Sequence, residues 1–430
     1  MHVTVISLNG LQELSGGGLY LRSLVSGLLQ TEGVAQVQVI SKKIHGAGRV
    51  FGHERVTEVE LEKNTTVDIL ARARLQPTFL GHHARRIVRA CAASDLVVLH
   101  NSRGGLILAQ LRKAWPGRKF IVCSDNVEYD LQRQKAGAQS LPRSLVARLE
   151  AFQIRRAEAC CLAADHMTFI TAQDRALFAQ LYGGPAHAEI LPITVPDPYA
   201  DGRGAPPPGK GMPWAVNGAP SEGSREPPHD KAVLQQGSAV SQAGGGPVLF
   251  TGHFGFAPNQ HALQVLLQVA STLNQGRVER DMIRFVVAGA GLDRLPPPGA
   301  PGVVYHAAPD IGQMDALFRS AALYVAPVVW GSGMKTKVAE ALSYGLPVVA
   351  LPHACVGYEP VLAHPAARSV LAVAQDAPGL ANLLATRLDT LCAQDRQRAR
   401  QVFLDHYSMA AQSARFLHIF RTILLLGQNG

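Results

Sequence analysis

The sequence predicts an α/β fold built from two units with parallel β-sheets, and three observations support this. The chain has 430 residues, which exceeds one ordinary core and suggests two or three domains. In both halves short β-branched runs alternate with amphipathic stretches, as in βαβ units. Between the halves, at residues 200–246, the composition shifts abruptly towards proline and glycine.

The composition is that of a globular protein. Hydrophobic residues make up 47% of the chain and charged residues 17%, which excludes a disordered polyelectrolyte. The six cysteines show no C-x-x-C or zinc-finger spacing, so we expect reduced, mostly buried thiols and no metal site. The chain opens on a strand pattern rather than a signal peptide, and no apolar run reaches the ~20 residues of a membrane span. These features predict a cytoplasmic protein.

The net charge of +9 is concentrated in the first half. Residues 1–195 contain 23 Lys and Arg against 16 Asp and Glu, a net charge of +7, and the remainder carries +2. A basic face of this kind binds nucleic acid or an anionic membrane surface, or is simply a solvated helix face. No zinc finger or RNA-binding aromatic motif favours nucleic acid. The surplus lies in stretches that contain Arg85, Arg86, Arg89, Arg148, Arg155 and Arg156.

In the first half the pattern predicts strands at 2–8, 36–40, 95–99, 119–123, 167–170 and 189–191, with helices that include Leu21–Leu29 and 142–164. Between the first strand and the first helix stand Gly16, Gly17 and Gly18. Glycines let the backbone approach a ligand, and a helix N-terminus attracts anions. The third glycine of a dinucleotide fingerprint is missing, and a tight turn is the alternative.

The stretch between the halves predicts a flexible linker or surface insertion, because it is rich in Pro and Gly and has little periodicity. Within it, residues 204–211 nearly spell a phosphate-binding P-loop. We exclude this reading because Gly211 replaces the required Ser or Thr and three prolines remove backbone donors.

In the second half the pattern predicts strands at 247–251, 283–288, 302–305, 323–326 and 347–350, and a helix at 259–274. The loop that contains Gly289 again lacks the third fingerprint glycine. The amphipathic stretch Met409–Leu426 predicts a closing helix that packs on a domain, with membrane insertion as the alternative.

The strongest signal is the segment from Trp330 to Gly345. A loop with glycines at 331 and 333 follows a strand and precedes a helix predicted at Met334–Tyr344. Backbone N–H groups at a helix N-terminus, with Lys335 and Lys337 nearby, suit a diphosphate. Glu340 can accept two hydrogen bonds from a ribose diol. Alternatively, Lys337 and Glu340 are an i,i+3 surface pair.

The run from Gly331 to Val349 closely resembles the donor-binding motif of family-4 glycosyltransferases. These enzymes share the GT-B fold, in which two Rossmann-like domains face each other across a cleft. Supporting resemblances lie at Phe250–Asn259, Asp95–Asn101 and Asp125–Tyr129, and in the first glycine loop. The resemblance implies an acceptor domain at 1–198, a linker at 199–246 and a donor-nucleotide domain at 247–430.

The resemblance also assigns roles to residues. Glu340 would bind the ribose, while Ser332 stands where the family has a first glutamate. His253 and Asn259 stand in the region of its diphosphate-binding Arg and Lys, and Asp125 where many members have a histidine. Asp125, Lys335 and Glu340 are the expected catalytic residues. The expected donor-binding residues are Gly16, Gly17, Gly18, Gly252, His253, Asn259, Gly289, Gly331, Ser332, Gly333, Met334, Lys335, Lys337 and Glu340.

The implied function is transfer of a sugar from a nucleoside diphosphate sugar to an acceptor, with retention of configuration. The sugar nucleotide is a co-substrate, and no cofactor is expected. The absence of a D-x-D motif from the sequence agrees with a metal-independent site, in which the loop amides and Lys335 stabilise the leaving diphosphate. Acceptors of similar enzymes are often lipid-linked saccharides of surface polysaccharide synthesis, and the basic first half would fit peripheral contact with an anionic membrane. The alternatives are a sugar-nucleotide epimerase of the same fold and a non-catalytic binding protein.

Overall fold

A computed structural model describes residues 1–13, 15–46, 50–137, 143–200, 245–294, 299–331, 333–364 and 368–426. The predicted insertion therefore lies almost entirely outside the described residues, and Ser332 does so as well.

The first domain is a parallel sheet with helices on both faces. Its central strands are buried apart from the first residue of the first and fifth strands, His2 and Lys119, which explains their continuous Val, Ile and Leu runs. The strand order is β3-β2-β1-β4-β5-β6-β7. The strands are β1 (His2–Ser7), β2 (Gln36–Lys42), β3 (Val56–Leu61), β4 (Leu96–His100), β5 (Lys119–Ser124), β6 (His166–Phe169) and β7 (Ala188–Ile190). The helices are α1 (Gly16–Gln30), α2 (Thr65–Ala73), α3 (Ala84–Ala90), α4 (Gly105–Ala114), α5 (Glu128–Gly137), α6 (Arg143–Cys160) and α7 (Ala172–Tyr182).

The second domain repeats this plan with six parallel strands, in the order β10-β9-β8-β11-β12-β13. The strands are β8 (Val248–Thr251), β9 (Phe285–Gly289), β10 (Val303–Ala307), β11 (Leu323–Ala326), β12 (Val348–Ala350) and β13 (Leu371–Val373). The helices are α8 (Ala257–Asn274), α9 (Ile311–Ser320), α10 (Thr336–Ser343), α11 (Glu359–Leu362), α12 (Ala377–Thr390), α13 (Ala393–His406) and α14 (Met409–Leu426).

Both sheets reverse their strand order once, between β1 and β4 and between β8 and β11. In open parallel sheets the crevice outside the carboxyl ends of the strands at such a switch point is the usual ligand site. The predicted fold class, two Rossmann-like units with parallel sheets, is confirmed. Two strands were missed, β3 and β13. β3 lies at a sheet edge and exposes Thr57, Glu58 and Glu60, and β13 has only three residues.

The chain crosses between the domains twice. After β7 it runs to the second domain, where Arg400 binds both carboxylate oxygens of Asp197 at 2.6 Å. It then returns, and α14 packs against α1, with Gln412 donating to Ser23 Oγ at 2.9 Å. The division into 1–198, 199–246 and 247–430 stays a prediction, and the closing helix it places in the second domain covers a face of the first. Within the described ranges no helix is long and apolar enough to span a membrane.

Candidate functional site

The loops after β8 and β9 touch at the carboxyl edge of the second sheet. Gly289 has φ +147°, and a Cβ there would overlap the carbonyl oxygen of Gly252. The loop after β8 is closed by Asn259, whose Nδ2 donates to the carbonyl of His253 at 3.0 Å. The His253 side chain itself is exposed. Asn259 therefore holds the loop in shape, and His253 is the member of this predicted pair that faces solvent.

The glycine loop after β11 lies beside the loops that follow β8 and β9. Gly331 and Gly333 have φ of +120° and +68°, conformations that favour glycine. A Cβ on Gly331 would lie 3.5 Å from Pro258, in the first turn of α8. His353, which follows β12, hydrogen bonds through Nε2 to the Gly331 carbonyl. The loops of the β8/β11 switch point are therefore in contact, as the topology requires.

The start of α10 is fixed by a buried tyrosine. The Tyr358 hydroxyl donates to the Lys335 carbonyl at 2.9 Å and accepts from the Ala339 N–H at 2.8 Å. It thereby stands between the donor and acceptor of the helix's first i→i−4 hydrogen bond. The helix begins at Thr336, two residues later than predicted, so Met334 and Lys335 belong to the loop. Met334 is buried and packs against Gly357.

Lys335 is a largely desolvated cation in this loop. Its Nζ donates to the Gly333 carbonyl at 2.7 Å. Burial lowers the pKa of Lys335 to about 8, and the charge of Asp174, in the first turn of α7, opposes that shift. Burial, and then the charge of Lys335, lower the pKa of His353. A cation that water solvates poorly gains much from an anionic ligand.

Glu340 and Lys337 form a salt bridge on α10, with 2.6 Å between Nζ and Oε2. The i,i+3 pair considered from the sequence is therefore present, and Lys337 points at Glu340 rather than along the glycine loop. Glu340 still lies near the strand ends. Burial, and to a smaller extent the charge of Glu340, raise the pKa of Tyr324, whose hydroxyl is 3.1 Å from Thr251 Oγ1 at the end of β8.

In the first domain the matching edge presents a carboxyl group. Asp125 follows β5, and Asn101, which follows β4, donates through Nδ2 to Asp125 Oδ1 at 2.8 Å. Asn101 has φ +84°, unusual for a residue with a side chain. Burial and then the charge of Glu128 raise the pKa of Asp125 to about 7. At neutral pH this group can both donate a hydrogen bond to a sugar hydroxyl and accept one from it.

The two edges meet across the cleft. A Cβ on Gly333 would lie 2.8 Å from Asn126 Oδ1 and 3.8 Å from the Asp125 carbonyl oxygen. Asp125 thus lies beside the glycine loop of the other domain. The sequence reasoning missed Asn126, Asp174, His353 and Tyr358. All four lie in segments that follow a strand, and that position is the signal that would have found them.

Gly16, Gly17 and Gly18 lie at the other switch point, that of the first sheet. A Cβ on Gly17 would overlap the Asn9 side chain, and one on Gly18 the Glu13 carbonyl. The Gly18 N–H is bound by Ser15 Oγ at 3.2 Å, as the N-terminal cap of α1. These glycines therefore form the first turn of α1, and their role in donor binding stays a prediction. Across the described residues, no group of three or more His, Cys, Asp or Glu side chains is arranged to hold a metal ion.

Comparison with known proteins agrees with this geometry. Residues 246–390, most of the second domain, match the family model of the group 1 glycosyl transferases. No curated protein sequence matches the chain.

Solved structures resemble the whole chain. Sucrose-phosphate synthase from Thermosynechococcus elongatus is 13% identical with a TM-score of 0.62, over 99% of this chain and 100% of that one. HepE from Anabaena, in complex with UDP, is 11% identical with a TM-score of 0.59, over 98% and 100%. The α,α-trehalose-phosphate synthase from Burkholderia xenovorans, in complex with glucose-6-phosphate, is 14% identical with a TM-score of 0.61, over 98% and 100%. At these identities the likeness shows the fold, and the predicted GT-B architecture is confirmed.

Proposed function

We propose that this chain, whose second domain matches the family model of the group 1 glycosyl transferases, moves a sugar from a nucleoside diphosphate sugar to an acceptor hydroxyl. One observation carries the proposal. A glycine loop with a desolvated lysine, at the switch point of the second sheet, faces Asp125 of the first sheet across the cleft. The arrangement offers an anion site and a hydroxyl site side by side.

The donor diphosphate would bind at the start of α10. Gly333 and the residues that follow it carry backbone N–H groups at a helix N-terminus, where the dipole contributes about 0.3–2 kcal/mol towards an anion. Lys335, whose Nζ donates to the Gly333 carbonyl, would add a positive charge beside the phosphate oxygens. As the diphosphate leaves, the same groups stabilise its growing negative charge. Glu340 would bind the ribose, which requires its salt bridge with Lys337 to open or to share an oxygen.

The acceptor would bind over Asp125 and Asn101. A carboxyl group with a pKa of about 7, oriented by an amide, positions a sugar hydroxyl without being fully charged. Two of the structurally similar proteins are solved with ligands of the kinds proposed here, HepE in complex with UDP and the trehalose-phosphate synthase in complex with glucose-6-phosphate. The proposal includes a saccharide or lipid-linked saccharide acceptor, retention of configuration, and no obligatory metal.

Donor turnover in Glu340→Gln and Lys335→Ala variants tests the proposal, with UDP-, GDP- and dTDP-sugars and a crude lipid acceptor. We expect each variant to lose on the order of 100-fold in turnover, as when one transition-state donor is removed. Lys113→Ala, on α4 of the first domain, is the control for loss of a lysine. Near-normal rates in both site variants would sink the proposal.

A nucleotide-binding protein without transferase activity is the second candidate. Asn259 is engaged in closing its own loop and Lys337 in pairing with Glu340, so two predicted donor contacts are already occupied. Thermal stabilisation by UDP or GDP, with no transfer to any acceptor, would support this candidate. A new sugar isomer formed from the donor alone would instead indicate an epimerase.

A further inference from the structure

The outward face of α6 exposes large apolar side chains. Leu145, Val146, Leu149 and Phe152 are 58, 62, 53 and 55% exposed. Residues 145, 149, 152 and 156 recur at helical spacing, so they line one stripe of the helix. The opposite face is anchored in the first domain by Ala147, Ala151, Ile154 and Ala157. We call the exposed residues from Leu145 to Arg156 the α6 face.

The charge on this face has one sign. Arg148, Arg155 and Arg156 are exposed there, and the exposed positions of α6 from residue 145 onward include no carboxylate. Within the described residues none of these three arginines lies within salt-bridge distance of an acidic side chain. Arg155 lies over the Tyr129 ring at 5.5 Å and Arg156 over the Phe152 ring at 6.0 Å. Their charges are therefore available to an anionic surface.

The helix that carries the α6 face ends near the carboxyl edge of the first sheet, the edge that borders the cleft. Near the end of α6, Glu158 accepts hydrogen bonds from Ser102 Oγ at 2.7 Å and from the Glu128 N–H at 2.9 Å, beside the carboxyl ends of β4 and β5. The chain then descends to the start of β6. Residues 145–152 precede Glu158 by two to four helical turns, roughly 9–20 Å at the α-helical rise. They therefore lie within about 20 Å, measured along the helix, of the edge that carries Asp125.

A second apolar group lies next to this helix. Ile69 and Leu70 on α2 are also exposed, and Arg72 on α2 reaches Glu150 on α6, with 3.6 Å between Nη2 and Oε1. α2 follows β3 and so starts from the same edge of the sheet. Ile69 and Leu70 therefore add exposed apolar side chains next to the α6 face.

We propose that the α6 face docks this protein on an anionic lipid bilayer, with Leu149 and Phe152 entering the interfacial region and the arginines at the headgroups. Exposed apolar residues flanked by arginines are the composition of interfacial helices. The inference rests on the proposed function, because docking there would present Asp125 to the saccharide of a lipid-linked acceptor.

Co-sedimentation with vesicles tests the docking surface. The intact chain should bind phosphatidylglycerol–phosphatidylcholine vesicles and not pure phosphatidylcholine, and high salt should weaken the binding. Leu149→Ser with Phe152→Ser should lower the partition coefficient by roughly tenfold or more. Arg155→Glu with Arg156→Glu should do the same. Ile311→Ser and Arg280→Glu remove an exposed apolar side chain and an exposed arginine from the second domain, and should leave binding unchanged.

The outcomes separate this inference from the proposed function. Glu340→Gln should bind vesicles normally, and Leu149→Ser with Phe152→Ser should keep its stabilisation by nucleotide. Vesicle binding that is unaffected in both α6 variants overturns the docking surface, whatever the transferase assay shows. Sedimentation velocity without lipid supplies a second check. A dimer that these variants dissociate would mean that a second copy covers the face, which also overturns the inference.

Discussion

The two sheets have the same topology but present different chemistry at their carboxyl edges. In the second domain this edge consists of backbone at Gly252, Gly289, Gly331 and Gly333. The largely buried, positively charged side chain of Lys335 lies beside it. In the first domain it is packed side chains. His100 is fully buried with its pKa lowered to about 3 by burial, and Asp125 is held by Asn101.

The difference agrees with the proposed division of substrates between the domains. Backbone N–H groups and a lysine favour an anion, whereas a carboxyl group with a raised pKa favours an uncharged hydroxyl. Under the proposed function, the same strand order would serve a donor edge and an acceptor edge. Four changes would break or sharpen this contrast, starting with the one of largest expected effect.

Gly289→Ala should destabilise the second domain by about 3 kcal/mol or more, because a Cβ at φ +147° would overlap the Gly252 carbonyl. Gly16→Ala is the matched change at the first edge, where the added methyl group has open space. The free energy of unfolding of Gly16→Ala should stay within about 0.5 kcal/mol of that of the parent. Urea denaturation of both variants makes the comparison, and equal losses would contradict it.

Asp125→Asn should change how stability depends on pH. In the unfolded chain the pKa of an aspartate is near 3.8, while in the folded protein the pKa of Asp125 is raised to about 7. Between these values the folded state holds the extra proton, so the free energy of unfolding falls as pH rises. The asparagine variant does not suffer this loss and should gain roughly 3–4 kcal/mol relative to the parent between pH 4 and pH 8. Asp389→Asn on α12 is the control in melts across that range, and parallel curves for parent and Asp125→Asn would refute the assignment.

Donor affinity should depend on the charge of Lys335. As pH rises above about 8 the Lys335 ammonium of the free protein loses its proton, so UDP affinity should fall by up to about tenfold per pH unit. A bound diphosphate raises the pKa of Lys335, and the fall in affinity should end where the pH exceeds this higher pKa of the complex. Lys335→Arg keeps its charge throughout and should bind independently of pH. Calorimetric titrations from pH 7 to 10 distinguish the two, and a flat parent profile would remove Lys335 from the diphosphate site.

The smallest expected effect on stability comes from removing one buried tyrosine hydroxyl in each domain. Tyr358→Phe removes two hydrogen bonds at the start of α10 and should cost about 1 kcal/mol, with a several-fold loss of UDP affinity as Lys335 shifts. Tyr20 is also fully buried, but its hydroxyl has no hydrogen-bond partner among the described residues. Tyr20→Phe should therefore be neutral or stabilising. A greater loss from Tyr20→Phe than from Tyr358→Phe would reverse the expected order.

The sequence was most informative where the structure is local. Strands buried on both faces, such as β1 and β4, are continuous apolar runs, and the Gly331–Gly345 loop and helix occupy one short segment. The sequence pattern did not predict β3, because an edge strand keeps charged residues such as Glu58 facing water.

The contacts that shape the site join segments far apart in the chain. The Tyr358 hydroxyl reaches back 23 residues to Lys335, and Asn101 reaches Asp125 across 24. The approach of Gly333 to Asn126 depends on how the two domains meet. The amino-acid sequence shows residue types and their spacing. It does not show which strand ends are brought together or how far water is excluded from a side chain. The pKa values of Lys335 and Asp125 depend on that exclusion.

The packing of α14 on α1 has a consequence for biosynthesis. Ser23 and Gln412 are 389 residues apart in sequence. At about 5–20 residues per second the ribosome makes the second roughly 20–80 s after the first. During that time the surface of α1 that meets Phe416 beside Gly27 has no covering helix. The nascent first domain therefore leaves the ribosome with an apolar surface that stays uncovered until translation has passed α14.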